Sequence, residues 1–448
     1  MPAQPSGRQR PDQMQAETWT GQVRHGRPAL GLRARLGPRD LLHPTAYGTV
    51  LLILVAIGRL PELVPPLAAL QPGNLAVVLA VIGLAFGRRL PVAVFAAPMG
   101  KLMLVFTALA ALSVGFSVWG SHSLQALLSG FAAGVLLFYL AAKTAASPAT
   151  YRAYVAALLV AASVLAISAV ILGAERRAEV TSMYDPNDLA LVLVACLPFA
   201  AVRVFATQGK RRWAFLALTA VFAVGVLATG SRGGFLGLMA VTGFLLFKEM
   251  PVRGRFGFAA KIAVLLLVGS VALALTHDTV WQRIASLANL EQDYNISSDR
   301  GRLAIWGRAL HTISERPWGV GLMAFAAAEG VGGGNYQEAH NALIQVAAEL
   351  GLLGLLVYVG FYLNAFRSLA RRYETPPGSA GPPDLLSHEL MTQAVALRAA
   401  LVGFFVTSFF LSKAYSPLFF LLLGLTLATT LRLQVAAGVV APRTRRRK

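Results

Sequence analysis

The sequence predicts an all-α fold, a polytopic membrane helix bundle with about twelve transmembrane helices. Two compositional facts and one charge pattern predict it. Hydrophobic residues make up 56% of the 448 residues and charged residues only 13%, where a soluble domain carries about 25% charged. The mean hydropathy is +0.61. The formal net charge of +20 is spread over short segments between apolar runs instead of one soluble face. That distribution follows the positive-inside pattern, so no nucleic acid partner is expected.

Residues 1–43 are rich in Arg, Pro and Gln. They read as a basic, disordered cytoplasmic tail and not as a cleaved signal peptide, which makes the first apolar run a signal-anchor. The transmembrane domain then covers 44–433, with candidate spans near 44–60, 74–87, 99–119, 122–141, 152–173, 186–206, 213–230, 233–248, 260–276, 341–366, 394–412 and 416–433. The stretch 61–73, with Pro61, Pro65 and Pro66, reads as a broken or re-entrant piece. Residues 434–448 form a second basic cytoplasmic tail. With the N-terminus inside, about 30 of the 40 Lys and Arg residues fall on the cytoplasmic side and about 10 outside, so both termini are expected to be cytoplasmic. The same assignment leaves 277–340 as a large external loop between the ninth and tenth spans, a length that argues for function. The one cysteine, Cys196, lies inside an apolar run, which excludes an internal disulfide and a cysteine metal cluster. No internal repeat of the transporter kind is visible.

Polar groups that this chain places at helix mouths are the candidate site. In HNALIQVAAELGLLG, Asn341, Gln345 and Glu349 fall at i, i+4 and i+8, a polar stripe on one side of the tenth span, with His340 at its top. Such a stripe must face the bundle or a wet cavity. In TGSRGG, Arg232 occupies an external turn between two spans, among Gly230, Gly233, Gly234 and Gly237, where small residues allow close approach; lipid phosphate is its other reading. The loop segment 297–321 reads as an amphipathic helix capped by Ser298 or Asp299 and stopped by Pro317, with Trp306 and Trp318 suited to the membrane interface. The glycine-rich stretches after it are expected to shape a mobile cleft floor. The loop arginines Arg283, Arg300, Arg302, Arg308 and Arg316 either pair with Glu291, Asp293, Asp299 and Glu315 or capture an anion with their planar forks. In MYDPNDLAL, Asp185-Pro186-Asn187 is helix-start chemistry, while Asp185 and Asp188 together are also a weak divalent-metal signal. No phosphate-binding loop, HExxH or GxSxG pattern occurs.

Three of these motifs, in this order, resemble the O-antigen ligase and polymerase superfamily of bacterial envelopes. They are TGSRGGFLGL, GRLAIWGRALHTISERPWGVG and HNALIQVAAELGLLG. The resemblance implies a glycosyltransferase of the bacterial inner membrane with its active site facing the periplasm, so that 277–340 becomes a periplasmic loop. It implies transfer of a glycan from an undecaprenyl-pyrophosphate carrier to a hydroxyl of lipid A–core or of another glycan, with membrane lipids around it. No nucleotide, metal or other cofactor is implied. Residue by residue, it implies His340 as the catalytic base and Arg232 with Arg302 on the pyrophosphate. Arg300 competes with Arg302 for the loop role, and Asn341, Glu349, Asp185 and Asp188 are secondary. Ligase and polymerase, including an exopolysaccharide polymerase, share these motifs and stay open. A lipid or solute transporter is the reading from another class, and a structural scaffold a third.

Overall fold

The computed structural model describes residues 44–86, 92–144, 147–172, 184–249, 298, 301–333, 336–370 and 385–436. The expected ninth span at 260–276, both tails up to residue 43 and from 437, and Arg283, Glu291, Asp293, Asp299 and Arg300 lie outside the described residues.

The remaining eleven expected spans each fall on a helix. They are α1 (Pro44–Ala56), α2 (Pro72–Phe86), α3 (Pro98–Ser113), α4 (Gly120–Lys143), α5 (Pro148–Leu172), α6 (Pro186–Ala206), α7 (Lys210–Ala228) and α8 (Arg232–Phe244). Two loop helices follow, α9 (Arg302–Glu315) and α10 (Phe325–Gly333), and then α11 (Ala342–Ala370), α12 (Leu385–Ser408) and α13 (Pro417–Ala436). Among the described residues, seven helices are long and apolar enough to cross a membrane, and four apolar ones are shorter. Helices α2, α3, α5, α6 and α13 all begin at proline, whose missing N–H is one the first turn would leave unpaired anyway. The proline-rich stretch after α1 breaks as expected, into a four-residue helix at Leu60–Leu63 and a 3-10 turn at Pro65–Leu70.

The core runs through the middle of α6 and α13. Residues Leu189–Ala200 of α6 are buried on every side, so a helix apolar all round sits at the centre of the bundle. It packs on α7 and α12, and α8 crosses α6 and α12 at Gly237, where an added methyl group would meet Val194 and Thr407. On the other flank an aromatic cluster ties α3, α11 and α13 together: Phe361 meets Phe106 edge-on at 5.5 Å, and Phe419 lies 5.1 Å from Tyr358. Lipid supplies no hydrophobic drive between helices, so small-residue crossings and ring packing of this kind hold the bundle.

Three local expectations need correction. The amphipathic loop helix starts at Arg302 with Gly301 as its N-cap residue, and Ser298 closes a turn before it, its carbonyl accepting from the Gly301 N–H at 2.7 Å; Asp299 lies outside the described residues. The glycine-rich stretch from 325 to 333 is a helix and not an open loop, because Ala326, Ala327 and Ala328 supply helix propensity that outweighs the glycines. The apolar run after Asn341 is not one straight helix. It breaks at Gly351, which has φ 73° and ψ −177°.

That break is filled by the loop. The segment Pro317–Gly321 turns and then lies against it: the Val320 N–H donates to the Ala348 carbonyl at 2.8 Å, the Gly321 N–H to the Glu349 carbonyl at 3.0 Å, and the Leu352 N–H to the Pro317 carbonyl at 2.9 Å. The carbonyls that the broken helix leaves unpaired are thereby satisfied, as buried backbone requires. On its other side the segment accepts from the Val118 N–H at 3.0 Å, and the Ser123 hydroxyl donates to the Leu322 carbonyl at 2.7 Å. The PWGVG and ELG motifs, 28 residues or more apart in sequence, are one interlocked unit.

Candidate functional site

The turns at one end of the bundle converge. At the start of α6, Asp185 is the N-cap: its Oδ1 accepts from the N–H groups of Asn187 at 2.8 Å and Asp188 at 2.7 Å. The helix-start reading of DPND thus describes Asp185. Asn187 then reaches the next turn, its Oδ1 accepting from the Ser231 hydroxyl at 2.8 Å. Ser231 in turn caps α8 by accepting from the Gly234 N–H at 3.0 Å. This chain of bonds fixes Arg232, half-buried at the first position of α8.

The second arginine comes from the loop. Helix α9 buries Ile305 and Ala309 in a small cluster with Phe325, Ala339 and Ala348, which seats it on α11. The Trp306 indole N–H donates to the Ala339 carbonyl at 2.9 Å, one residue before His340. Arg302, half-buried, opens the helix. Arg308, by contrast, is held within the loop: it pairs at 2.7 Å with Glu329, a carboxylate that is 3% exposed and also accepts from the Gln337 N–H at 3.1 Å.

His340 is half-buried and adopts φ 47°, a left-handed conformation uncommon for any residue but glycine. The Ser412 hydroxyl accepts its backbone N–H at 2.8 Å. Burial pushes the imidazole below its ordinary value, and the positive charges of Arg302 and Lys413 push the same way; Glu338 and Asp185 oppose them. Strain at such a position persists only where the surroundings enforce it, and here Trp306 and Ser412 do so from either side. The polar stripe below is buried. Asn341 caps α11, accepting from Leu343 and Ile344 N–H groups at 2.9 and 3.1 Å. Gln345 accepts from the Ala414 N–H at 3.2 Å. The Glu349 carboxyl is 4% exposed, with the Tyr415 hydroxyl and the backbone of Met323 and Phe325 against it.

The linker between α12 and α13, residues 409–416, brings to this end of the bundle side chains that sequence reasoning missed. Ser412, Lys413 and Tyr415 meet His340, Asp188 and Glu349 respectively. A signal was present: under the expected topology, a lysine in this turn of a few residues runs against positive-inside placement, as Arg232 does. Lys413 holds Asp188 at 2.7 Å, so this carboxylate serves an ion pair. Removing the lysine strands a carboxylate that is 10% exposed. Lys413→Ala is expected to cost on the order of 2 kcal/mol, below the fully buried figure because the ammonium is partly solvated. Thermal unfolding in detergent checks this, and Asp188→Asn in the same chain should restore most of the loss.

Half-buried cations, a strained histidine and a set of buried acceptors thus ring one end of a membrane bundle. No curated protein matches the chain. Residues 217–359, about a third of it, match the family model described as O-antigen ligase, and the matched part holds Arg232, Arg302, His340 and Glu349. Over that segment the chain is similar to the O-antigen ligase family, which supports a place in the O-antigen ligase and polymerase superfamily of membrane glycan enzymes.

Proposed function

We propose that the protein transfers a glycan from an undecaprenyl-pyrophosphate carrier to an acceptor hydroxyl at the periplasmic face of the inner membrane, as a ligase does. One observation carries this reading: His340 is held in a strained conformation within the field of Arg302, at the same bundle end as Arg232. The chemistry follows from those groups. The acceptor oxygen forms a bond to the anomeric carbon as the bond from that carbon to the pyrophosphate oxygen breaks. The electron pair leaves on the pyrophosphate, and Arg232 and Arg302 stabilise the charge as it builds. His340, kept neutral by its surroundings, takes the proton of the attacking hydroxyl. A single displacement of this kind inverts the anomeric centre. Neither nucleotide nor metal is called on by this scheme, and the polyprenyl tail stays among the apolar helix faces. Polymerisation differs only in the acceptor, a second carrier-linked glycan.

Purified protein in detergent, given carrier-linked glycan and lipid A–core without nucleotide, is expected to form glycosylated lipid A–core. Extension of the carrier-linked glycan instead makes it a polymerase. If no glycan changes carrier under any acceptor, the transfer reading fails and transport takes its place.

A further inference from the structure

The far end of the bundle holds a second polar cluster that the glycan chemistry does not use. Arg203 lies about 22 Å along α6 from Asp188, and α12 and α13 run from the Ser412 turn to the same end. There a cavity of about 130 Å³ opens between α5, α6 and α12. One wall is apolar, formed by Val155, Phe199 and Val202, and the lip carries Arg203, Glu389 and Gln393. Behind it Arg432 is only 6% exposed. Its Nη1 donates to Gln393 at 3.3 Å and its guanidinium stands 5.8 Å from the Tyr151 ring centre, but Nη2 is buried with no hydrogen-bond partner.

The charges do not balance. Arg152, Arg203 and Arg432 all act on the one carboxylate of Glu389. Arg152 takes both of its oxygens, at 2.9 Å each. Arg203 and Arg432 are left without a carboxylate of their own among these groups. A buried guanidinium with an open donor is costly unless an anion completes it, and a planar fork suits phosphate oxygens. The apolar wall beside the cations, at the rim of a membrane bundle, suits the first carbons of a lipid.

We infer that this cavity binds the phosphate of an anionic group, with the headgroup of an acidic phospholipid as its occupant. The inference stands independently of the glycan reading. The test uses the full chain in detergent, exposed to phosphatidylglycerol, to phosphatidylcholine or to inorganic phosphate, with retained lipid counted by native mass spectrometry and protection read by thermal shift. Wild type should retain phosphatidylglycerol about tenfold better than phosphatidylcholine. Arg203→Gln, at a half-exposed position, should lose that preference, and Glu389→Gln, which removes the competing carboxylate, should strengthen it. Protection by inorganic phosphate alone, lost in Arg203→Gln, would keep the anion site but assign it to a soluble ligand. Equal retention of the two lipids with no phosphate effect, or a preference unchanged in both variants, would overturn the proposal.

Discussion

His340→Ala is expected to abolish measurable glycan transfer, with a rate loss of about 10²–10⁴ at unchanged membrane level. Arg232→Ala and Arg302→Ala should each cost about 10²–10³, the figure for removing one donor from developing negative charge. The backbone geometry makes the histidine result specific. Residue 340 is held through its own N–H and the Ala339 carbonyl, so alanine there keeps both bonds and deletes only the imidazole. The pH profile separates a base from a structural role. Because burial and Arg302 hold the imidazole below its usual 6.5, His340 is neutral and able to accept a proton at neutral pH. Activity should therefore persist as pH falls through 6.5 and drop only below that. Arg302→Ala removes one of the charges that disfavour protonation, so the residual activity should lose its acid limb at higher pH than wild type. Arg302→Lys should leave the limb close to its original place. Wild-type activity in the alanine variant of His340 would dismiss the proposed base.

Gly351→Ala should cost about 2–5 kcal/mol and sharply reduce folded protein in the membrane. Two independent penalties combine. The residue has φ 73°, where any side chain is strained. A methyl group would also run into the Pro317 carbonyl and the backbone of Trp318, which cannot give way without losing the bonds that close the helix break. Gly319, at φ 97° and pressed on the Glu349 carbonyl, should behave alike. Gly360→Ala is the control: its added methyl makes only ordinary contacts with Leu102, so its melting temperature should match wild type. Equal melting of Gly351→Ala and Gly360→Ala in detergent would show that the break is not needed for folding.

Much of this was legible in the sequence because lipid imposes a simple code. Apolar length located eleven helices, and the requirement that a polar stripe avoid lipid predicted the burial of Asn341, Gln345 and Glu349. What was not legible depends on partners distant in the chain. Nothing around Gly351 announces a break, since glycine is common in membrane helices; only docking of Pro317–Gly321 makes it one. The 325–333 helix was obscured by glycine counts. Arg308 was open to pairing or to anion capture, and the partner it takes, Glu329, was not among the carboxylates expected for it. Lys413 carried the same positional oddity as Arg232 but lay in a turn too short to draw notice. The helix-start role of Asp185 was legible from DPN, whereas the pairing of Asp188 with a lysine more than 200 residues away is set by packing alone.

The bonds joining Pro317–Gly321 to the broken helix run from main chain to main chain. They therefore record the path of the chain and not the identity of Trp318 or Val320. Substitutions at the exposed Trp318 should pass with little effect and those at the buried Val320 should follow its size, whereas adding or deleting a single residue between Pro317 and Gly321 would slip every donor past its acceptor. Related chains should accordingly vary at the exposed tryptophan position while keeping the two glycines and the length of the stretch constant, and place their insertions elsewhere in the loop.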